Sequence, residues 1–248
     1  MTASTLKFDP PVIAHRGVRA EAPENTLTAF RQAIAQGVRW LETDVKLTHD
    51  GMPILIHDDL LDRTTNGHGP VADMVWAEMK NLDAGSWFNP SFADARIPHL
   101  AEALRFVLDN KLRLNLELKP CPGRTQATVM VSMIEAAKIW TPEFEPPLIS
   151  SFDVNALIIA SRLHPDWPRG LLLDQWQDNW PELVKMTDVA TININEAVLT
   201  ADRVQQLKES GHIVLSYTVN DPIRAKELLH WGVTAVFSDN PKEIIKSL

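Results

Sequence analysis

Two carboxylates, Glu42 and Asp44, lie two positions apart in residues 40–58 (WLETDVKLTHDGMPILIHD). The stretch predicts a strand, a tight turn at His49-Asp50-Gly51 and a second strand that ends at His57-Asp58. Side chains alternate between the faces of a strand, so both carboxylates lie on one face, roughly 7 Å apart. A hard divalent cation with oxygen ligands would relieve their repulsion. The pair therefore indicates a metal site, although surface strands also carry such acids.

Further groups with matching chemistry end other predicted strands. His15 and Arg16 end the first strand, and Glu117 and Lys119 end the third. A third carboxylate suits a divalent cation, and His15 with His57 suits general acid–base catalysis near neutral pH. The arginine and lysine suit a phosphate group, since a guanidinium binds it bidentately and an ammonium acts as a point charge.

Each of these residues also has a structural interpretation. A single histidine at a strand end is usually structural, Lys119 could neutralise a neighbouring carboxylate, and Arg16 could pair with Glu24 or Asp44. Seven such groups at one end of one sheet have no economical structural explanation. Their joint occurrence therefore favours an active site.

The elements that position these residues are short apolar strands alternating with amphipathic helices, the pattern of βαβ units. Strands are predicted at residues 11–17, 40–48, 112–119, 147–152, 170–174, 189–195, 212–220 and 235–239. Helices are predicted at about residues 25–36, 99–110, 126–140, 154–163, 181–186, 201–210, 222–231 and from 241 onward. Eight β/α units predict one α/β domain over residues 1–248, a TIM (β/α)8 barrel. An open doubly wound sheet is the alternative, but no glycine-rich phosphate loop follows the first strand.

Residues 59–98 interrupt this alternation as an insertion after the second strand. The segment is rich in turn residues (TTNGHGP), with one short helix expected near residues 75–82. No interdomain linker or internal repeat is apparent on either side of it.

Strand faces indicate which side chains enter the barrel. The apolar face packs against helices, so the polar face is predicted to point inward, toward the C-terminal mouth. By this rule the inward residues are Arg113, Asn115, Glu117 and Lys119 on the third strand, Thr191, Asn193 and Asn195 on the sixth, and Val214, Ser216, Thr218 and Asn220 on the seventh.

Composition limits the kinds of partner and the cellular location that we expect for the protein. The chain has 248 residues and a net charge of −8, which argues against nucleic acid or anionic lipid as a routine partner. Its single cysteine, Cys121, excludes an internal disulfide and a thiolate zinc cluster. The first ten residues have no apolar signal-peptide core, and no run approaches the length of a membrane span. We therefore expect a cytoplasmic protein that acts on a small molecule, with no membrane insertion. Its oligomeric state stays open.

A series of short motifs runs through nearly the whole chain in order. They are HRG at 15–17, PENT at 23–26, E-x-D at 42–44, DG at 50–51, HD at 57–58, RTTNG at 63–67, AGSWF at 84–88, E-x-K at 117–119, SSF at 150–152, YTVN at 217–220 and SDNP at 238–241. In this combination the sequence resembles the glycerophosphodiester phosphodiesterase family, and most closely its short cytoplasmic bacterial members.

The resemblance implies a TIM barrel in which insertion 59–98 caps the active-site mouth. It implies metal-dependent hydrolysis of glycerophosphodiesters, such as glycerophosphocholine or glycerophosphoethanolamine, to sn-glycerol 3-phosphate and an alcohol through a cyclic phosphate. One divalent cation is expected, with Mg²⁺ preferred because the short cytoplasmic relatives tend to use it, and Ca²⁺ as the alternative. The implied roles are metal ligation by Glu42, Asp44 and Glu117, acid–base catalysis by His15 and His57, and phosphate binding by Arg16 and Lys119.

The rest of the substrate pocket is predicted to include Trp87, Phe88, Phe152, Trp176, Asn193 and Asn220. Related barrels cleave lysophospholipids or sphingomyelin, and Trp87, Trp176 and Trp180 could line an apolar groove for such a substrate. The lack of a signal peptide or anchor disfavours this alternative. A non-catalytic binding protein is a third interpretation, but ligand binding alone does not require two titratable histidines.

Overall fold

The computed structural model describes residues 6–248, and within them nine strands and nine α-helices follow the predicted alternation. The strands are β1 (Val12–Ala14), β2 (Trp40–Leu47), β3 (Pro53–Leu55), β4 (Arg113–Leu118), β5 (Leu148–Ser151), β6 (Arg169–Leu173), β7 (Thr191–Asn195), β8 (Ile213–Tyr217) and β9 (Ala235–Ser238). The helices are α1 (Leu27–Ala35), α2 (Trp76–Met79), α3 (Leu100–Asp109), α4 (Thr125–Ile139), α5 (Val154–Leu163), α6 (Trp180–Thr187), α7 (Ala201–Glu209), α8 (Pro222–Trp231) and α9 (Pro241–Ser247).

Eight parallel strands close into a barrel. The strand order runs β1-β9-β8-β7-β6-β5-β4-β2, and β1 also pairs with β2, which leaves no open edge in the ring. Helices between successive strands cover its outside, so the predicted TIM barrel is confirmed. Among the described residues, no helix has both the length and the apolar character needed to cross a bilayer.

The ninth strand, β3, belongs to the predicted hairpin. It pairs antiparallel with the end of β2, and the turn between them places Gly51 at a φ of +80°, a conformation that favours glycine. After β3, the insertion contains α2 and two 3₁₀ helices, Val71–Asp73 and Pro90–Phe92. Together with the hairpin and Cys121, it forms a separate apolar cluster made of Ile54, Ile56, Leu61, Val71, Met79, Ala84, Ile97 and Cys121.

Two apolar layers stabilise the barrel. The outer layer lies between strands and helices and includes Leu41, Val45, Leu114 and Leu116, as the strand alternation predicts. The inner layer closes the N-terminal end of the barrel with Ile13, Trp40, Leu148, Leu215 and Phe237. Because this floor is filled with side chains, the C-terminal mouth is where a ligand can enter.

The predicted facing of the seventh barrel strand, β8, is wrong. Leu215 belongs to the inner layer and Ile213 and Tyr217 pack against it, whereas Val214 lies in the outer layer. Ser216 is buried outside the ring, where its hydroxyl donates to the carbonyl of Ile194 at 3.0 Å. The floor of the barrel requires apolar side chains, so here the apolar face points inward.

Candidate active site

The pairing of β2 with β4 brings three carboxylates together. Asp44 lies opposite Glu117 in this parallel register, and Glu42 lies opposite Asn115. Single oxygen atoms of Glu42, Asp44 and Glu117 all lie within 4.8 Å of one another, and all three residues are buried. The Oε1 atom of Glu42 is buried with no hydrogen-bond partner. A compact all-oxygen donor set with an unsatisfied oxygen fits a hard divalent cation.

The electrostatics of the cluster also favour a cation. Burial and the charges of Asp44 and Glu117 raise the pKa of Glu42 well above its ordinary value. Burial and the Asp44 charge raise the pKa of Glu117 to about 7. For Asp44, burial acts in the same direction, but Arg16, Lys119 and His57 outweigh it and hold its pKa below the ordinary value. The positive charges near the three carboxylates thus do not balance the cluster, and a divalent ion would supply the missing charge.

Two basic side chains border the carboxylates. Lys119 Nζ lies 2.9 Å from Glu117 Oε1 and 3.7 Å from Asp44 Oδ1. Arg16 Nε lies 3.4 Å from Asp44 Oδ2, and its Nη1 donates to Glu24 Oε1 at 2.7 Å. The structural pairings considered for these residues therefore exist, and both residues also line the cavity described below.

The HRG turn after β1 positions His15 and Arg16 at the site. Arg16 and Gly17 both have positive φ, +54° and +84°. A Cβ atom on Gly17 would lie 2.6 Å from Ala29 Cβ, so only glycine lets the turn pack against α1. In this conformation the backbone N–H of Arg16 donates to Glu42 Oε2 at 2.8 Å, which ties the turn to the acidic cluster.

His15 is held by a carboxylate from the opposite end of the chain. Its Nδ1 lies 2.7 Å from Asp239 Oδ1, while its Nε2 lies 4.0 Å from Glu42 Oε2. Asn220 Nδ2 donates to the second oxygen of Asp239 at 2.9 Å. Burial lowers the pKa of His15, more than the bond to Asp239 raises it. Neutral His15 therefore presents Nε2 as its free nitrogen.

His57 has an analogous partner beside it. Its Nδ1 lies 2.6 Å from Asp58 Oδ1, and Arg63 of the insertion donates to Asp58 from Nε at 2.6 Å and from Nη2 at 3.0 Å. Burial lowers the pKa of His57 as well. The two histidines thus enter the site as two His–Asp pairs from different parts of the fold.

These groups surround a cavity of about 170 Å³ at the mouth of the barrel. Its charged side comes from β1, β2, β4 and the hairpin, and its mostly apolar side from β5, β6, β8 and β9. The lining residues are His15, Arg16, Glu42, His57, Asn115, Glu117, Lys119, Ser150, Phe152, Leu172, Tyr217, Thr218 and Phe237. A more open cavity of about 650 Å³ adjoins it and shares His57, Glu117, Lys119 and Phe152.

Of the predicted pocket residues, Phe152 lines this cavity, with Lys119 Nζ 5.4 Å from its ring centroid. Trp87 and Phe88 pack edge to face within the insertion, outside the cavity lining. Trp176 packs under the guanidinium of Arg203. Asn193 is buried in the barrel, where its Oδ1 accepts from the Thr191 hydroxyl. Asn220 contacts Asp239 instead of lining the cavity.

Three features of the site were not assigned from the sequence. Asp58 lies in the HD motif, directly after His57, and Asp239 lies in the SDNP motif, at the end of a predicted strand. These positions were the sequence signals that could have pointed to them. Tyr217 lies in the YTVN motif, and its hydroxyl is buried without a hydrogen-bond partner. A polar atom without a partner at a cavity wall is suited to bind a ligand.

The protein is a closed (β/α)8 barrel with an acidic cluster and two histidines at its C-terminal mouth. This is the arrangement of a TIM-barrel enzyme. The model of the glycerophosphoryl diester phosphodiesterase family matches residues 15–243. A glycerophosphodiester phosphodiesterase from Caldanaerobacter subterraneus subsp. tengcongensis is 33% identical, over 94% of this chain and 96% of the relative. One from Bacillus subtilis is 32% identical, over 92% and 83%.

Among solved structures, an Oleispira antarctica phosphodiesterase in complex with the product sn-glycerol-3-phosphate superimposes with a TM-score of 0.93. It is 39% identical, and the match covers 96% of both chains. The chain therefore belongs to the glycerophosphoryl diester phosphodiesterase family, whose members are enzymes. The family resemblance read from the motifs is confirmed.

Proposed function

We propose that the protein hydrolyses glycerophosphodiesters, such as glycerophosphocholine and glycerophosphoethanolamine, to sn-glycerol 3-phosphate and a free alcohol. The observation that carries this proposal is the convergence of the acidic cluster, both histidines, Arg16 and Lys119 on adjoining cavities. The product bound by the Oleispira relative supports the same chemistry. Cytoplasmic location stays a prediction from the sequence.

Glu42, Asp44 and Glu117 would hold one divalent cation, Mg²⁺ by preference and Ca²⁺ as the alternative. A bound cation of this kind neutralises charge on the phosphate oxygens, which otherwise repel a nucleophile. Arg16 and Lys119 at the cavity wall add to this neutralisation, because their positively charged side chains can donate hydrogen bonds to phosphate oxygens.

The two histidines would transfer the protons. One accepts the proton of the glycerol 2-hydroxyl as its oxygen forms a bond to phosphorus, and the other donates a proton to the alcohol oxygen as its bond to phosphorus breaks. The products of this step are a cyclic phosphate and the free alcohol. Water then opens the ring with the roles reversed, which gives sn-glycerol 3-phosphate. The hydrogen bonds that Asp239 and Asp58 accept from Nδ1 leave Nε2 of each histidine available for these transfers.

The two adjoining cavities suit the two halves of the substrate. The smaller one, between His15 and Tyr217, suits the compact glycerol group, and the larger one, on the side of His57 and Cys121, suits alcohols of varying size. We further propose that residues 59–98 cap the mouth, because Arg63 of this insertion bonds to Glu24 of the barrel. Head-group preference stays open.

A lysophospholipid or sphingomyelin substrate is less well supported. Such a substrate requires an apolar groove, and Trp87 and Trp176, the residues considered for one, do not line either of the two adjoining cavities. The partly buried Trp180 packs beside Trp176 in the outer apolar layer.

Hydrolysis of glycerophosphocholine with and without EDTA tests the proposal, with release of glycerol 3-phosphate as the measurement. Acid–base assistance is typically worth about 10² to 10⁴ in rate, so His15→Ala and His57→Ala should each lower kcat by at least about 10². A p-nitrophenyl diester that retains the glycerol hydroxyl should restore much of the activity of one variant, because its leaving group needs no proton. Near-normal turnover in either variant would remove that histidine from the mechanism.

A further inference from the structure

Glu24, in the PENT motif between β1 and α1, is a buried carboxylate with no part in the proposed chemistry. Its side chain is 2% exposed and accepts hydrogen bonds from three guanidinium groups. Arg16 Nη1 donates to it at 2.7 Å, Arg19 Nε at 2.9 Å, and Arg63 Nη1 and Nη2 at 2.8 Å each. Burial alone would raise the pKa of Glu24, but these bonds, chiefly from Arg63 and Arg16, lower it to about 2.

Arg63 connects this carboxylate to a catalytic histidine. It donates from Nε to Asp58 Oδ2 at 2.6 Å and from Nη2 to Asp58 Oδ1 at 3.0 Å, and Asp58 Oδ1 lies 2.6 Å from His57 Nδ1. One planar guanidinium thus bridges two carboxylates with two hydrogen bonds to each. A fork of this geometry fixes orientation as well as charge.

The bridge joins the hairpin and insertion to the start of the barrel. Arg63, Asp58 and His57 belong to the hairpin and insertion, whose apolar core is distinct from that of the barrel. Glu24 is buried against the barrel, close to the acidic cluster through Arg16. Besides the backbone pairing of β3 with β2, this bridge is a side-chain link between His57 and the part of the chain that holds the acidic cluster.

We infer that Glu24 and Arg63 are positioning residues for His57, acting through Asp58. The inference rests on the catalytic role of His57 in the proposed function. A misplacement of about 1 Å remote from the chemistry can cost about 10²-fold in rate. Loss of the Arg63 bridge should therefore lower kcat while it leaves the metal ligands and the glycerol side of the cavity in place.

Arg19 provides a matched control. Arg19 and Arg63 both donate to Glu24, and both side chains are 38% exposed. Arg19 does not contact Asp58, and its contact to the partner of His15 is a longer ion pair, 3.5 Å to Asp239 Oδ2. A merely structural role of the Glu24 cluster predicts similar effects for both arginines.

The experiment compares Arg63→Gln and Arg19→Gln, each alone and combined with His57→Ala, on glycerophosphocholine. Arg63→Gln should lower kcat about 10- to 100-fold with KM and Mg²⁺ affinity within about threefold, and Arg19→Gln should lower kcat less than about threefold. In the His57→Ala background Arg63→Gln should cost less than about threefold, because the residue it positions is gone. Glu24→Gln should also lower kcat, and because it weakens the bond that holds Arg16, it should raise KM as well.

Arg63→Lys distinguishes an effect on the position of His57 from an effect on the stability of the protein. Lysine keeps the charge and reaches one carboxylate but cannot form the double fork, so the melting temperature should recover and kcat should not. Equal losses for both arginine variants, full additivity with His57→Ala, or recovery of kcat in Arg63→Lys would overturn the inference. An inactive wild-type protein, or a fully active His57→Ala variant, would instead refute the proposed function.

Discussion

His15 Nδ1 lies 2.7 Å from Asp239 Oδ1, although the two residues are 224 positions apart in the chain. The parallel pairing of β1 with β9 brings them together, since His15 follows β1 and Asp239 follows β9. The carboxylate accepts a hydrogen bond from Nδ1–H and so favours the tautomer in which Nε2 is free to act as the proposed base. In the proposed mechanism it would also stabilise the imidazolium that forms when Nε2 accepts a proton.

Asp239→Asn should lower kcat by about 10- to 100-fold, the range typical for partners that orient a functional histidine. The amide retains a hydrogen bond to the ring but removes the charge that stabilises the imidazolium. Steady-state kinetics on glycerophosphocholine provide the measurement. Unchanged kcat in Asp239→Asn would show that the pair is only structural.

Removal of one charge from the acidic cluster should weaken metal binding without unfolding the protein. Glu42→Gln, Asp44→Asn and Glu117→Gln each keep the side-chain shape, so Mg²⁺ affinity should fall in all three. The melting temperature of metal-free Glu42→Gln should not fall, because burial and like charges raise the pKa of Glu42 and disfavour its charged form. Calorimetric titration and thermal melting test this. Full metal occupancy in all three variants would refute the assignment.

Tyr217→Phe removes only a hydroxyl that is buried without a partner at the cavity wall. If this hydroxyl binds the glycerol group, KM for glycerophosphocholine should rise about 5- to 10-fold, since a neutral hydrogen bond is worth about 1 kcal/mol. Steady-state kinetics on glycerophosphocholine provide the measurement, and an unchanged melting temperature of Tyr217→Phe shows that the fold is intact. An unchanged KM would mean that the Tyr217 hydroxyl does not bind the glycerol group.

The stability contributed by Glu24 should depend on pH with a definite sign. Its pKa is about 2 in the folded protein against an ordinary 4.5, so its contribution is present above about pH 4.5 and is lost as the pH falls toward 2. The difference in unfolding free energy between wild type and Glu24→Gln should therefore be largest near neutral pH and shrink below pH 4.5. Denaturant titrations at several pH values measure it, and a constant difference would contradict the assignment.

The sequence predicted the acidic cluster because local rules suffice there. A period of two places Glu42 and Asp44 on one face, and parallel pairing of the E-x-D and E-x-K strands places Glu117 beside them. The alternation of strands and helices likewise predicted the barrel. Strand ends differed by at most three residues, as for the seventh strand, predicted at 212–220 and found at Ile213–Tyr217.

The other features depend on packing that local patterns do not encode. Alternation divides β8 into two faces but does not say which one fills the barrel floor, so Leu215 and Tyr217 were placed outside. Aromatic residues near the mouth do not reveal their neighbours, and Trp176 packs on Arg203 instead of a substrate. The long-range bonds to Asp239 and Arg63 likewise follow only from the closed fold.

The charged and apolar sides of the cavity come from different halves of the chain. Every charged residue that lines it precedes residue 120, whereas Ser150 and the lining residues after it are neutral. We therefore expect substitutions of the neutral lining residues to change substrate choice more than catalytic power. Libraries confined to Leu172, Tyr217 and Phe237 would vary the shape that the substrate meets while every ionised group stays in place, which makes the second half of the barrel the natural target for engineering a phosphodiesterase with a new specificity.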